Sequence, residues 1–306
     1  MTIRRKVIPL EEALLPGQRL SPAGIRLLVS DVDGTLVTGD KRLTPRVEAA
    51  ARALGEAGIA LTVTSSRPAF GMRMLIEPLG LTAPMAAFNG GLIVSPDRLQ
   101  PIECNPVPVD VARRGVELLV GRGVGIWIHT EHDWFVLDPA GPYVDHEIRT
   151  IRTAPTVVTD LDRPGVIDRA YKIVGVSQNF ALLARCEREL ADEFGARATV
   201  ARSQLYYLDV THPLANKGHA VQRLSHLLGI APSQIAAIGD GRNDIAMFAV
   251  AGLAIAMGNA EAEVQQAADC VSAGNEEDGF AVAVERWILP RAARAGGARH
   301  AHGGSP

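Results

Sequence analysis

Cysteine is scarce, a basic surplus is missing and no long apolar run exists in this 306-residue chain. The three cysteines, Cys104, Cys186 and Cys270, are scattered and odd in number. They make neither a disulfide framework nor a zinc ligand set, and a reducing cytoplasm is the simplest setting for them. The formal net charge of -3 gives no footprint for a nucleic-acid partner. No stretch approaches the ~20 apolar residues of a membrane helix. Near the start, Arg4, Arg5 and Lys6 precede an apolar stretch too broken by Pro9, Glu11 and Glu12 to read as an export signal. No internal repeat is visible.

What is present is ordinary globular material, 47% hydrophobic and 21% charged, in a length that suits about two domains. From residue 24 strand and helix signals alternate. Ile25 to Ser30 reads as a buried strand. Thr44-Pro45 reads as a helix cap followed by proline in the first turn, and Val47, Ala50, Ala51 and Leu54 supply the apolar stripe. Residues 59–64 predict a second strand, 68–79 a helix stopped by Gly80, and 85–88 a third short strand leading into Asn89-Gly90-Gly91.

The rhythm changes over 92–210, which is richer in proline and mixes strand-like pieces with one helical stretch from Asn179 to Phe194. It returns near Lys217, with a helix to Leu228, a strand over 234–238 and shorter strands near 253–257 and 269–271. The expected organisation is one α/β domain, residues 21–91 and 211–290, split by an inserted α+β domain over 92–210. Residues 1–20 form an N-terminal extension in this reading, and 291–306 a disordered tail rich in Ala, Gly, Arg and His.

Four pieces fall at strand ends or helix starts: Asp31-Val32-Asp33-Gly34-Thr35, Thr64-Ser65-Ser66-Arg67, Asn216-Lys217-Gly218 and Gly239-Asp240-Gly241-Arg242-Asn243-Asp244. The carboxyl ends of strands are where open α/β sheets bind ligands. A carboxylate there can act as a nucleophile, and one beside it can move protons. A calcium loop starting at Asp31 is excluded, because Leu36 and Arg42 stand where glycine and glutamate are required. Taken singly, each piece is also compatible with a solvated turn or a helix cap.

Together, and in this order, the four pieces resemble the haloacid dehalogenase superfamily of phosphatases, over roughly residues 24–290. The Asn89-Gly90-Gly91 segment and the placement of the insert resemble its Cof-type branch. That resemblance implies a three-layer, Rossmann-like core with an α+β cap. It implies an Mg²⁺-dependent phosphatase of small phosphorylated metabolites, sugar phosphates or similar, acting through an aspartyl-phosphate. The expected protein is a cytoplasmic monomer or homodimer with no nucleic-acid or membrane partner.

By position, the resemblance makes Asp31 the nucleophile and Asp33 the general acid and base, its backbone carbonyl also on the metal. Ser65, Lys217 and Asn243 bind phosphate. Asp240 ligates the metal with Asp31, and Asp244 belongs to the same group. Motif two usually reads Thr-Gly-Arg in this branch; here it is Ser65-Ser66-Arg67, with Thr64 and Ser66 as neighbouring alternatives to Ser65. Arg67, Asn89 and Gly90 are candidates for substrate contact. Arg67 is equally a surface ion-pair partner, and Asn89 a support of its turn. Asn259 is either a residue near the site or a local cap. Among the insert's residues His129, His132 and His146 read as solvated or core-edge, and Trp127, Trp134 and Phe135 as core. A phosphomutase on the same scaffold, and a non-catalytic binding module, are the rival readings.

Overall fold

A computed structural model of the protein describes residues 24–293. The expectations for residues 1–20 and for the tail beyond 293 lie outside the described residues.

The first part of the chain builds β1 (Leu27–Ser30), α1 (Pro45–Glu56), β2 (Ala60–Val63), α2 (Arg73–Ile76), β3 (Met85–Ala87), β4 (Leu92–Val94) and β5 (Pro101–Cys104). The middle builds α3 (Val109–Gly121), β6 (Gly125–His129), β7 (Trp134–Val136), α4 (Val144–Ile151), β8 (Thr156–Val157), β9 (Lys172–Val176), α5 (Phe180–Phe194), β10 (Thr199–Gln204) and β11 (Tyr207–Thr211). The last part builds α6 (Lys217–Leu228), β12 (Ile235–Gly239), α7 (Ile245–Val250), β13 (Leu253–Ala256), α8 (Ala262–Ala267), β14 (Cys270–Val271) and α9 (Gly279–Ala283).

Strands from the two ends of the chain interleave in one five-stranded sheet, ordered β14-β13-β12-β1-β2 and parallel throughout. Both faces of a parallel sheet must be covered, so its strands are apolar on each side. β1 shows this directly. Leu28 packs with α1, Phe280 and Trp287 on one face, while Leu27 and Val29 pack with Ala220, Val221 and Leu224 of α6 and Phe248 of α7 on the other. This is the three-layer α/β core. The strand order places β1 between β2 and β12, the arrangement that opens a ligand crevice at the strands' carboxyl ends.

The middle part forms a six-stranded sheet, β10-β11-β9-β6-β7-β8. One face packs on α3 and α5 through Ile126, Ile128, Ile173, Leu183 and Leu190. The other carries Trp127, Val174 and Tyr207 beneath α4. Trp127 and Trp134 are buried there and Phe135 packs against the opposite cluster.

Three local expectations change. Residues 92–104 stand outside the six-stranded sheet, although Tyr171 of the middle part packs into the same cluster as Leu92 and Val94. β4 pairs with β3 and β5, and Leu92, Ile93 and Val94 are buried in the clusters of the parallel-sheet domain. The helix expected over 68–79 divides into a 3-10 turn, Phe70–Met72, and the short α2. Pro78 has no amide to continue the ladder, and Gly71 has Ile151 of α4 3.0 Å from where a Cβ would sit. The start of the expected tail is ordered: the amide of Ile25 donates to the Arg291 carbonyl at 2.7 Å, and that of Ala293 to the Ile25 carbonyl at 3.1 Å.

Candidate active site

β1 delivers Asp31 to the crevice, its amide donating to the Ile238 carbonyl at 2.9 Å so that the carboxylate's root is fixed to β12. Gly34 then turns the chain away at φ +79°, and any Cβ there would lie 2.2 Å from Asp240 Oδ2. Glycine is therefore required twice, for the backbone angle and for the approach of Asp240. Thr35 donates its hydroxyl to Asp240 Oδ1 at 3.2 Å.

β2 delivers Ser65, which is buried, donates its amide to Ala86 and accepts from the Asn89 amide through its carbonyl. Its hydroxyl oxygen accepts from the Arg67 amide at 3.1 Å. Ser65 and Ser66 both line the cavity of about 800 Å³ that also holds Asp31 and Asp240, and the Thr64 hydroxyl is buried without a hydrogen-bond partner among the described residues.

α6 delivers Lys217 in its first turn. The Asn216 side chain caps that helix by accepting from the amides of Gly218 and His219. A buried cation at a helix N-terminus opposes the helix dipole and must be compensated by anions. Its Nζ lies 2.5 Å from Asp31 Oδ1 and 2.6 Å from Asp244 Oδ1. Burial lowers the Lys217 pKa, but Asp244 and Asp31 outweigh it and hold the ammonium charged.

β12 delivers Asp240. The turn after it is closed by Asp244, whose Oδ2 accepts from the amides of Asp240 and Gly241. Both Asp244 oxygens are thus already engaged, one by Lys217 and one by this turn.

Carboxylate oxygens of Asp31, Asp240 and Asp244 lie within 4.8 Å of one another. Burial pushes the Asp31 carboxyl well up, with Asp244 and Asp240 adding to it and Lys217 opposing. Asp240 is pushed up to about 6, by burial and then by Asp244. Three carboxylates against the one ammonium leave two negative charges, which a single divalent cation cancels. All the donors are hard oxygens, the chemistry Mg²⁺ prefers. The residues present therefore fit such an ion.

Asp33 stands apart from this cluster. Arg67 grips its carboxylate with Nε and Nη2, both at 2.6 Å, and Lys41 Nζ adds a third contact at 2.6 Å. Burial raises the Asp33 carboxyl, but Arg67 and Lys41 outweigh it and lower it to about 2. Arg67 is only 3% exposed and also donates to the Gly71 carbonyl. It is not a surface pair: it lines the cavity with its guanidinium held against Asp33.

The remaining candidates divide. Asn243 and Asn89 both line the cavity and bond to each other, Asn243 Nδ2 donating to Asn89 Oδ1 at 3.1 Å. Gly90 lies outside the cavity lining; a Cβ on it would meet Ala220 of α6 at 2.7 Å, so its place is one of packing. Asn259 donates to the Gly34 carbonyl and to Asp240 Oδ2, tying its own loop to the acidic cluster. Of the insert's histidines, His129 is fully buried, His132 is exposed and His146 lines the cavity. Lys41, Lys172, Asp209 and Glu147 also line it and were not singled out from the sequence. Two of them carry a signal in the sequence, Lys172 of β9 and Asp209 of β11, as single charges amid apolar strand residues.

Comparison with known proteins gives a consistent answer. The sequence profile of haloacid dehalogenase-like hydrolases matches residues 28–284. A Haemophilus influenzae protein whose phosphatase name is provisional is 30% identical over 263 residues, 85% of this chain and 97% of the relative. The HMP-PP phosphatase of Cronobacter sakazakii is 31% identical over 244 residues, 77% of this chain and 85% of the relative. The pyridoxal phosphate phosphatase of Escherichia coli is 26% identical over 269 residues, 84% and 96%. A solved haloacid dehalogenase-like hydrolase from Bacteroides thetaiotaomicron superposes with a TM-score of 0.80 at 28% identity, covering 86% of this chain and 99% of its own.

Proposed function

The chain belongs to the haloacid dehalogenase-like hydrolase family and is a phosphatase, and from that premise we propose that it hydrolyses a small phosphorylated metabolite with Mg²⁺ through an aspartyl-phosphate on Asp31. The observation that carries this reading is the meeting of Asp31, Lys217, Asp240 and Asp244, drawn from separate parts of the chain, in one buried group. The relatives named for pyridoxal phosphate and HMP-PP support a small substrate. A cytoplasmic site of action follows from such a substrate.

In this mechanism Asp31 attacks phosphorus, and the bond to the ester oxygen breaks. Asp33 gives its proton to that leaving oxygen. Asp33 then takes a proton from water, which attacks the phosphoryl group and frees phosphate and Asp31. Lys217 opposes the upward push on the Asp31 carboxyl and offsets charge on the transferring group, while Ser65 and Asn243 donate to its oxygens. Mg²⁺ held by Asp31 and Asp240, with Asp33's backbone carbonyl and Asp244 alongside, would supply Lewis-acid polarisation and a template for in-line displacement. In the resting arrangement Arg67 and Lys41 keep Asp33 ionised, which suits the second step. In the first step the arriving phosphate offsets those cations, and Asp33 takes up from solvent the proton that it passes to the leaving oxygen.

Asp31→Asn tests the reading. The variant should keep its fold by circular dichroism and release no phosphate from p-nitrophenyl phosphate or from a metabolite panel. Hydrolysis at the wild-type rate would refute the covalent mechanism.

A further inference from the structure

The turn that follows β3 carries a backbone cost that the chemistry above does not explain. Phe88, Asn89 and Gly90 stand in succession at φ +50°, +56° and +96°. Only glycine takes that region freely. Asparagine is among the few other residues that tolerate it, and an aromatic residue there is an outlier. Such strain persists only where the surroundings over-determine the backbone, and it gathers at functional sites. Here the surroundings do so. The Phe88 amide donates to the Arg67 carbonyl at 3.0 Å, and the Asn89 amide to the Ser65 carbonyl at 2.7 Å. The Phe88 ring is fully buried and stacks on Tyr171, with ring centres 5.5 Å apart.

What the strained turn delivers is the side chain of Asn89. Ser65 follows β2 and Asn243 follows β12, on the two sides of β1. Asn89 engages both of them, Ser65 through its own amide and Asn243 through Oδ1, which accepts from Asn243 Nδ2 at 3.1 Å across 154 residues of chain. The two uncharged phosphate donors of the mechanism are thus tied to one residue. A carboxamide has an accepting end and a donating end of similar shape. Asn243 is exposed on the turn after β12. Left to rotate there, it would offer either end to a phosphoryl oxygen and lose that freedom only on binding. In the arrangement observed, Nδ2 gives one of its two hydrogens to Asn89 and keeps the other for an anion. We propose that Asn89 is a positioning residue for the hydrolysis: it holds the Asn243 amide with one N–H free for a phosphoryl oxygen, and the left-handed run Phe88–Gly90 exists to bring it there. The inference rests on the phosphatase reading and deepens it. Support of the turn alone would be met as well by glycine at position 89.

The test separates the side chain from the backbone. Asn89→Gly removes the amide and suits φ +56°, ψ +25°, so the thermal midpoint should hold or rise. Steady-state kinetics with p-nitrophenyl phosphate and Mg²⁺, with inorganic phosphate as competitive inhibitor, then reads the site. In Asn89→Gly phosphate should inhibit about three- to tenfold more weakly, KM should rise with it, and kcat should change less than about twofold, because the held amide serves bound phosphate and transition state alike. Asn243→Ala should weaken phosphate by at least the same factor, and adding Asn89→Gly to it should cost nothing further. Unchanged phosphate inhibition in a stable Asn89→Gly overturns the inference. So does a full second loss in the double variant, since Asn89 would then bind phosphate by itself. A lowered midpoint in Asn89→Gly overturns it too, because the side chain would then be holding the loop. Absence of phosphate release by the wild type overturns the phosphatase reading itself, and this inference with it.

Discussion

Lys217 Nζ and Asp31 Oδ1 lie 2.5 Å apart although 186 residues separate them in the chain. The contact is almost free of water, since the two side chains are 1% and 9% exposed. It joins the end of β1 to the first turn of α6. A buried cation with two carboxylate partners holds the nucleophile's position and its charge together, so position and charge should fail together when the cation is removed.

Lys217→Met therefore leaves two buried carboxylates, Asp31 and Asp244, without their ammonium. Breaking a buried pair from one side costs about 3–5 kcal/mol, and phosphate release should drop by about 100-fold or more. Chemical denaturation and a p-nitrophenyl phosphate assay measure the two losses. Saturating Mg²⁺ should recover part of the stability and little of the rate.

The acidic cluster makes metal-free protein sensitive to mild acid and base in a defined direction. Asp240 titrates at about 6 in the fold, above the ordinary ~3.9 of an unfolded chain. A raised carboxyl favours the folded state most below pH ~4, and that contribution is lost as pH climbs through about 6. The thermal midpoint measured in EDTA should accordingly show a downward component from pH 4 to 6.5 that Asp240→Asn removes. Mg²⁺ should raise the midpoint of the wild type above pH 6 and have much less effect on the variant.

Asp33 behaves oppositely. Its carboxyl is held at about 2, so its contribution is present above pH ~4 and lost as pH falls toward 2. The stability difference between wild type and Asp33→Asn should shrink over that interval. Arg67→Met removes the stronger partner and leaves burial in place, so the Asp33 carboxyl should move upward. Carboxyl-detected NMR of metal-free protein reports the shift directly, and an unmoved Asp33 would show that Lys41 alone is sufficient.

Gly34→Ala tests the close approach at the turn. The φ of +79° disfavours alanine, and the new methyl would overlap Asp240 Oδ2. A destabilisation of about 1–3 kcal/mol is expected from the backbone alone. Displacement of Asp240 should weaken Mg²⁺ binding by about tenfold or more, measurable by calorimetry.

Much of this site was legible because its four pieces sit at the junctions where strand periodicity stops, and each carries residue types that junctions rarely need. Asp31, Ser65, Lys217 and Asp240 could be expected in one crevice from their strand-end and helix-start positions together with the family resemblance of the four pieces. The use of Arg67 could not, since its partner Asp33 lies 34 residues earlier on a neighbouring strand end. No local pattern separates a guanidinium that meets substrate from one that clamps a carboxylate. Lys172 and Asp209 were hidden for the same reason: their pairing depends on the register of β9 against β11. Which sheet β4 and β5 join was not legible, because β3, β4 and β5 are only three or four residues long. At that length, alternation does not reveal which sheet a strand joins.

The interleaving of β1 with β12 sets a schedule for the nascent polypeptide. The contact from Thr35 to Asp240 spans 205 residues, and at ribosomal speeds of about 5–20 residues per second that gap lasts roughly 10–40 s. Throughout it the first strand can pair with β2 on one side while its other edge stays open to any passing extended segment. Synthesis therefore passes through a prolonged stage in which a hydrophobic ribbon awaits its neighbour, and chaperone demand should peak there and end when the twelfth strand leaves the exit tunnel.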